Sequence, residues 1–552
     1  KMGEKRRRSE KEEESGEKKK VRKEEEEEEE EVEVKSKRDK RKKKEEVEEE
    51  EEAVEVEEIS EKKDKKKKKS KKSDVDKGEE SSSSLDIFDE IAAVSSSALD
   101  DEAVARLRKT LQDNKDDESS VKSIRARASS VPFLASLLCS YHATRTVADQ
   151  SILECLHALE RQYGVNLSVM SPLVFGPRAR ENYEKLRELG RFLHIKPTAD
   201  QVVEWMDAQQ LWTTVIMGDH PRMEGRPSQM YDTKFVLRLL LSIVLPGSEL
   251  TCRLFVDRNC LSLAFGACSS VDEETRRLAM ILLQRFLSLM MELKNDEFEE
   301  KSMVVYLVRL FKNSLEQEAA RVSHVISHFF ARTSKLLLNP AHPVYSPICA
   351  FITLKPAMEM NQVPELFKLL LSSSTENFEA EQSWLLNLLT AAVVDAADYR
   401  VLQNRSTVRL ICSLFASCLS RMDTRKGALG VLKAVVSIPA AAFDALVKQN
   451  LAGWIAATMQ RPNLSRWEVI YLGEIYALLL ENARVYGRGR TGAVVALALA
   501  KITVHSVTRR LGAGGVTTAD TVAYGHIERA EKCLLREWTA SPEAKAEDTV
   551  DQ

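Results

Sequence analysis

The chain has 552 residues, 30% of them Asp, Glu, Lys or Arg, and a formal net charge of −4. Residues 1–80 alone hold 29 Lys/Arg and 32 Asp/Glu, which leaves too little apolar surface to offset the roughly 1–2 kcal/mol per residue that ordering a backbone costs. The remaining 472 residues carry 53 basic and 54 acidic side chains, so a uniformly basic nucleic-acid-binding surface is excluded and any RNA contact has to rest on local patches.

In chain order, residues 1–84 read as a disordered Lys/Glu-rich tail that ends at Ser81 to Ser84. Its basic clusters are Lys5-Arg-Arg-Arg8, then Arg41, Lys42, Lys43 and Lys44, and then Lys65, Lys66, Lys67, Lys68 and Lys69 within the run Lys62 to Lys72. Three separate clusters have the form of nuclear or nucleolar targeting sequence and can touch RNA. The plainer alternative is a polyampholyte spacer, because the acidic block Glu24 to Glu31 partly neutralises the basic ones. Residues 85–130 read as a linker with one short helix, best placed at Asp100 to Gln112. Residues 131–539 read as a helical-repeat domain, and 540–552 as a flexible polar end.

The helical reading rests on period and caps. Ser270-Val-Asp-Glu273 has the form of a capping box, followed by Leu278, Ile281, Leu282, Phe286 and Leu289 on one face. Ser465-Arg-Trp-Glu468 and Ser373-Ser-Thr-Glu376 repeat the device. Gly164 and Gly190 stand just past periodic segments, where a residue free to take positive φ ends a helix. Two segments, Phe235 to Leu245 and Ala493 to Val504, are apolar nearly all round and are expected to be covered on more than one side. Alternating strand patterns are absent over any useful length. The expected fold is all-α, an irregular HEAT/armadillo-like helical-repeat solenoid of about twenty helices of 10–20 residues. No fixed repeat period is visible.

The nine cysteines, with no C-x-x-C pair, argue against a disulfide framework or a zinc module and for reduced thiols in a nuclear or cytosolic protein. The longest apolar run, Gly492 to Val507, is broken by Lys501 and His505 and falls short of the about 20 residues a spanning helix needs. The chain starts at Lys1 and is read as a fragment.

Gly487-Arg-Gly-Arg-Thr-Gly492 has the letters of a dinucleotide fingerprint, without the preceding strand or the following acid that the chemistry requires. It reads as a turn between helices. Its arginines are of more interest: Arg484, Arg488 and Arg490, with Arg509 and Arg510, are candidates for a phosphate or partner contact, against a plain solvated loop. His324 and His328 are one helical turn apart, but Val325 stands where a metalloprotease needs glutamate, so they read as a structural pair. No nucleophile elbow or Walker loop is present, and no catalytic residue, metal, cofactor or small-molecule substrate is expected.

An ordered series of segments carries a resemblance. Tyr231-Asp-Thr-Lys-Phe-Val-Leu-Arg-Leu-Leu-Leu-Ser-Ile-Val-Leu-Pro-Gly-Ser248 leads to Cys252-Arg-Leu-Phe-Val-Asp-Arg-Asn-Cys-Leu-Ser-Leu-Ala-Phe-Gly266. These are followed by His342-Pro-Val-Tyr345, Val363-Pro-Glu-Leu-Phe367, Trp384-Leu-Leu-Asn-Leu-Leu389 and Asp398-Tyr-Arg400. Upstream, Ser171-Pro-Leu-Val-Phe-Gly-Pro-Arg-Ala179 fits the same series, with Phe175 where Trp is expected. Over roughly residues 165 to 420 this resembles the C-terminal domain of the nucleolar pre-ribosomal-associated protein (Npa/Urb) family. The resemblance implies a non-catalytic nucleolar scaffold in early large-subunit assembly, with pre-ribosomal RNA and assembly proteins as partners and no membrane. A cytoplasmic helical-repeat adaptor for transport or membrane traffic is the alternative.

Overall fold

In the computed structural model the described residues are 86–93, 99–114, 118–189, 196–218, 227–294, 297–317, 319–373, 376–461 and 464–487, with 525–526 and 528–529. All of them belong to the unit Ser82–Gln552. The charged tail, its targeting clusters, Gly190, and the apolar segment Ala493 to Val504 lie outside them.

The first helices are α1 (Asp86–Ala93), α2 (Asp101–Asp113), α3 (Glu118–Ala128), α4 (Val131–Ser140), α5 (Val147–Arg161) and α6 (Gly176–Leu189). Here the linker expected over 85–130 is corrected. Its dense charge hides short apolar stripes: α1 buries Ile87, Phe88 and Ile91, and α2 buries Val104, Leu107 and Leu111 at helical spacing. Helix α1 packs on α4, with the Phe88 and Phe133 rings 5.2 Å apart, and α2 packs on α5. The helix expected at Asp100 to Gln112 is α2, displaced by one residue at each end.

Next come α7 (Ala199–Trp205), α8 (Ala208–Met217), α9 (Thr233–Ile243), α10 (Cys252–Asp257), α11 (Cys260–Ala267), α12 (Glu273–Glu292), α13 (Lys301–Ser314), α14 (His324–Leu336), α15 (Tyr345–Leu354) and α16 (Leu366–Leu371). The last group is α17 (Phe378–Ala392), α18 (Ala396–Gln403), α19 (Thr407–Ala416), α20 (Met422–Val436), α21 (Pro439–Val447), α22 (Leu451–Met459) and α23 (Arg466–Gly487). No strand occurs among the described residues; a single isolated bridge joins Thr144 and Tyr231.

Every third helix from α8 onward packs on the next: α8, α11, α14, α17, α20 and α23 form one central column. The repeat is therefore three helices, the armadillo arrangement, in which each unit buries its apolar face against its neighbours. Its period is regular only late in the chain. From residue 378 to 422 and from 422 to 466 the step is 44 residues, whereas 260 to 324 is 64 and 324 to 378 is 54. Between α17 and α20 the approach is close. A Cβ at Gly427 would lie 3.0 Å from Leu386 Cβ, and one at Gly430 would lie 3.1 Å from Thr390 Oγ1.

The caps hold with adjustments. Ser465 precedes α23, and Glu468 reaches back to accept from its N–H at 2.8 Å and its hydroxyl at 2.6 Å. In the Ser270 segment the N-cap is Asp272, two residues later, whose carboxylate accepts from both the N–H and the hydroxyl of Thr275. Those bonds hold the Asp272 carboxyl down to about 2. Its contribution to helix stability is thus present above the ordinary carboxylate range and is lost as pH falls through about 2. Helix α17 starts at Phe378 with Asn377 before it and no side-chain cap, so the Ser373 box does not form its start. Gly164 follows α5 with φ of +65°, as expected.

Eight cysteines lie among the described residues and all are free thiols. Burial pushes the Cys155, Cys252, Cys268 and Cys412 thiols up to about 12, which removes the reactive thiolate at neutral pH. Cys418 is exposed. In a Cys533→Ser background, native maleimide labelling is expected to modify Cys418 first, and Cys418→Ser should abolish the fast phase. Fast labelling of Cys268, at the end of α11, would show that the column opens.

Among the described residues no single helix is long and apolar enough to cross a membrane. Helices α20 and α21 together reach that length and composition but are bent by 108° at their junction.

Candidate functional site: a polar stripe on the central column

Helix α14 lies mid-column, in contact with α11, α17, α13, α18 and α8. Nearly all its side chains are buried as a result. Ser323 caps it, accepting from the Ile326 N–H at 3.4 Å. Positions i, i+4 and i+8 of an α-helix share a face, so His324, His328 and Arg332 form one polar stripe. The expected His324/His328 pair is here: both are buried, with ring centroids 6.4 Å apart.

At the stripe's first position the partner comes from α18. Asp398, fully buried, accepts from the N–H groups of His324 at 2.7 Å, Val394 at 3.0 Å and Asp395 at 3.0 Å, and lies 3.0 Å from His324 Nδ1. Asp395 caps α18 in a reciprocal box with Asp398 and receives Arg321 Nη2 at 2.6 Å. Burial works to raise the Asp395 carboxyl, but the Asp398 N–H and the Arg321 guanidinium outweigh it and hold it below the usual carboxylate range. His324 Nδ1 faces the Asp398 carboxylate, and Nε2 is buried with no hydrogen-bond partner among the described residues.

His324, Asp395 and Asp398 bring one potential ligand atom each within 4.8 Å of one another. The donor set does not suit a metal. Asp398 is engaged by three N–H groups and an imidazole, and Asp395 by two N–H groups and a guanidinium. The cluster is a helix-capping network that ties α14 to α18.

The middle of the stripe faces a cavity of about 230 Å³ lined by His324, His328, Arg145, Thr214, Asp232 and Lys234, among others. Its two cationic side chains are held by neighbouring groups. Lys234 lies 3.1 Å from both Asp272 and Glu274, and Arg145 donates to Thr233 Oγ1 at 3.0 Å and to the Gly218 carbonyl.

The far end differs. Arg332 lies with its guanidinium carbon 5.8 Å from the centroid of the Trp212 ring on α8, and Nη2 reaches the Asn387 carbonyl on α17 only at 3.5 Å. Its Nε is buried without a partner, and burial alone pushes the guanidinium down to about 10. No carboxylate pairs with it among the described residues.

Of the five arginines singled out in the sequence, the structure places only Arg484, which is half-buried on α23. Arg488, Arg490, Arg509 and Arg510 lie outside the described residues, as do Arg41 to Lys44 and Lys65 to Lys69. Arg332 and Asp395 were not legible as site residues. The one local signal was the Asp395-Ala-Ala-Asp398 spacing, which has the form of a capping box.

A three-helix repeat stacked into a column of packed and capped helices defines an armadillo-type helical-repeat fold. Residues 261–453 match the family model described as Nucleolar pre-ribosomal-associated protein 1. The mouse protein of that name is 28% identical over 341 residues, covering 58% of this chain and 15% of the mouse protein. The human one is 26% identical over 361 residues, covering 62% of this chain and 16% of the human protein. Over these segments the chain is similar to the nucleolar pre-ribosomal-associated proteins, and it spans about a sixth of the length of these relatives. Among solved structures, an engineered protein aligns over 81% of this chain at 13% identity with a TM-score of 0.24, too remote to inform the fold.

Proposed function

We propose that this chain acts in the nucleolus as a non-catalytic scaffold in early assembly of the large ribosomal subunit, holding assembly factors and pre-ribosomal RNA. The observation that carries this reading is the match of residues 261–453, together with two relatives whose names call them nucleolar and pre-ribosomal-associated. The matched segment runs from α11 into α22, along the greater part of the central column. That segment holds interlocked helices whose polar groups mostly cap and pair with one another, which suits a surface for large partners. The RNA contact in this reading belongs to the tail clusters or to the arginines after α23, because the remainder of the chain is nearly neutral.

The test is crosslinking in growing cells followed by sequencing of the RNA bound to the tagged chain. Precursor ribosomal RNA is the expected product; its absence would confine the chain to protein contacts. A second expectation concerns the tail. Deleting Lys62 to Lys72 should lower nuclear accumulation several-fold and leave the melting temperature of the purified chain unchanged, whereas a lower melting temperature would mean that the tail docks on the helices.

A further inference from the structure

Arg332 is a cation held in a place that does not suit one. Taking a guanidinium even partly out of water costs free energy unless a carboxylate or a full set of acceptors compensates it, and half-buried Arg332 has one long contact to a carbonyl and one aromatic ring. Several cations on and beside the column are paired with carboxylates. Arg321 has Asp395 at 2.6 Å, Lys335 has Asp257 at 2.7 Å, Arg425 has Glu468 at 2.9 Å and Lys433 has Glu474 at 2.6 Å. The ring beside Arg332 is half-buried Trp212, and exposed Asn387 borders it on α17. Three column helices, α8, α14 and α17, thus converge on an arginine and a tryptophan, the residue types that dominate binding energy at protein interfaces.

We infer that Trp212, Arg332 and Asn387 form a docking point for a protein partner that presents one aspartate or glutamate, with a flat or apolar side chain beside it to cover Trp212. Charge complementarity selects that occupant over nucleic acid. A phosphate backbone needs several unpaired cations in a row, and here the other cations on and just before this helix, Arg321 and Lys335, are already matched by Asp395 and Asp257. A lone carboxylate accepts the Arg332 fork and completes the pairing that the chain leaves open. Occupation would also exclude water from the pair, where such a bond is strongest. The inference does not depend on the cellular process assigned above.

The experiment places a photoreactive benzophenone side chain at Asn387 in the full-length tagged chain, irradiates growing cells and identifies the crosslinked product by mass spectrometry. The expected product is a protein segment containing an Asp or Glu within a few residues of the crosslink. Arg332→Met should reduce the yield at least fivefold, and replacing that acidic residue by Gln or Asn should reduce it equally. Arg332→Met removes the buried charge but keeps the bulk, so the urea midpoint of the purified chain should stay level or rise. A crosslink to RNA, a product without a nearby carboxylate, a yield indifferent to Arg332→Met, or a lowered urea midpoint would each overturn the proposal.

Discussion

Asp398→Ala is expected to destabilise the chain by about 3–5 kcal/mol, the cost of removing one member of a buried hydrogen-bonded network. Its carboxylate ties together three backbone N–H groups and an imidazole drawn from α14 and the entry to α18. Alanine leaves all of them in a dry interior, where an unsatisfied donor costs about 1–3 kcal/mol. Stability of a repeat array is close to a sum of unit and interface contributions, so the lesion should also divide one unfolding transition into two, on either side of α14. Asp398→Asn keeps the shape and one acceptor but turns an N–H toward existing donors, so an intermediate loss is expected. Circular dichroism in urea checks both. A loss under about 1 kcal/mol for Asp398→Ala would mean that other acceptors reach these donors.

Phe330→Ala should cost about 3–5 kcal/mol, in the range for emptying a buried aromatic site. The ring is fully buried and joins three elements. It lies 5.4 Å from Phe265 on α11, 4.9 Å from Phe311 on α13 and 5.7 Å from Phe329 on its own helix. Phe329 in turn meets Phe351 at 5.7 Å and Trp384 at 6.1 Å, which carries the cluster on to α15 and α17. Because α11 and α13 hold the ring from two sides, the space cannot collapse without moving a helix, and the cavity contribution is retained in full. Phe330→Leu, which fills most of the volume, should recover more than half of the loss. Equal losses for the two variants in urea titrations would contradict the cavity argument.

The sequence made local features legible and long-range ones not. The start of α23 could be read because Ser465 and Glu468 act within one turn. The start of α12 was misplaced by two residues because Asp272, a stronger acceptor than the Ser270 hydroxyl, takes the Thr275 N–H. The helices of 86–128 were read as linker because their apolar stripes are only three or four residues long and sit among charges. The three-helix repeat leaves no visible sequence period because its early steps exceed the later 44 residues by 8–20. In the site, His324 and His328 lie four residues apart and were visible as a pair. Their decisive partner, Asp398, is 74 residues away, and the isolation of Arg332 appears only when α8, α14 and α17 are brought side by side.

The proposed role is that of a scaffold in large-subunit assembly. Sedimentation of the tagged chain from growing cells on a sucrose gradient, read fraction by fraction against large-subunit precursor RNA, tests it most directly. The account predicts that the chain migrates with those precursors and leaves these fractions after Asp398→Ala, which breaks the column. A wild-type chain that stays in the light fractions with free protein would contradict it.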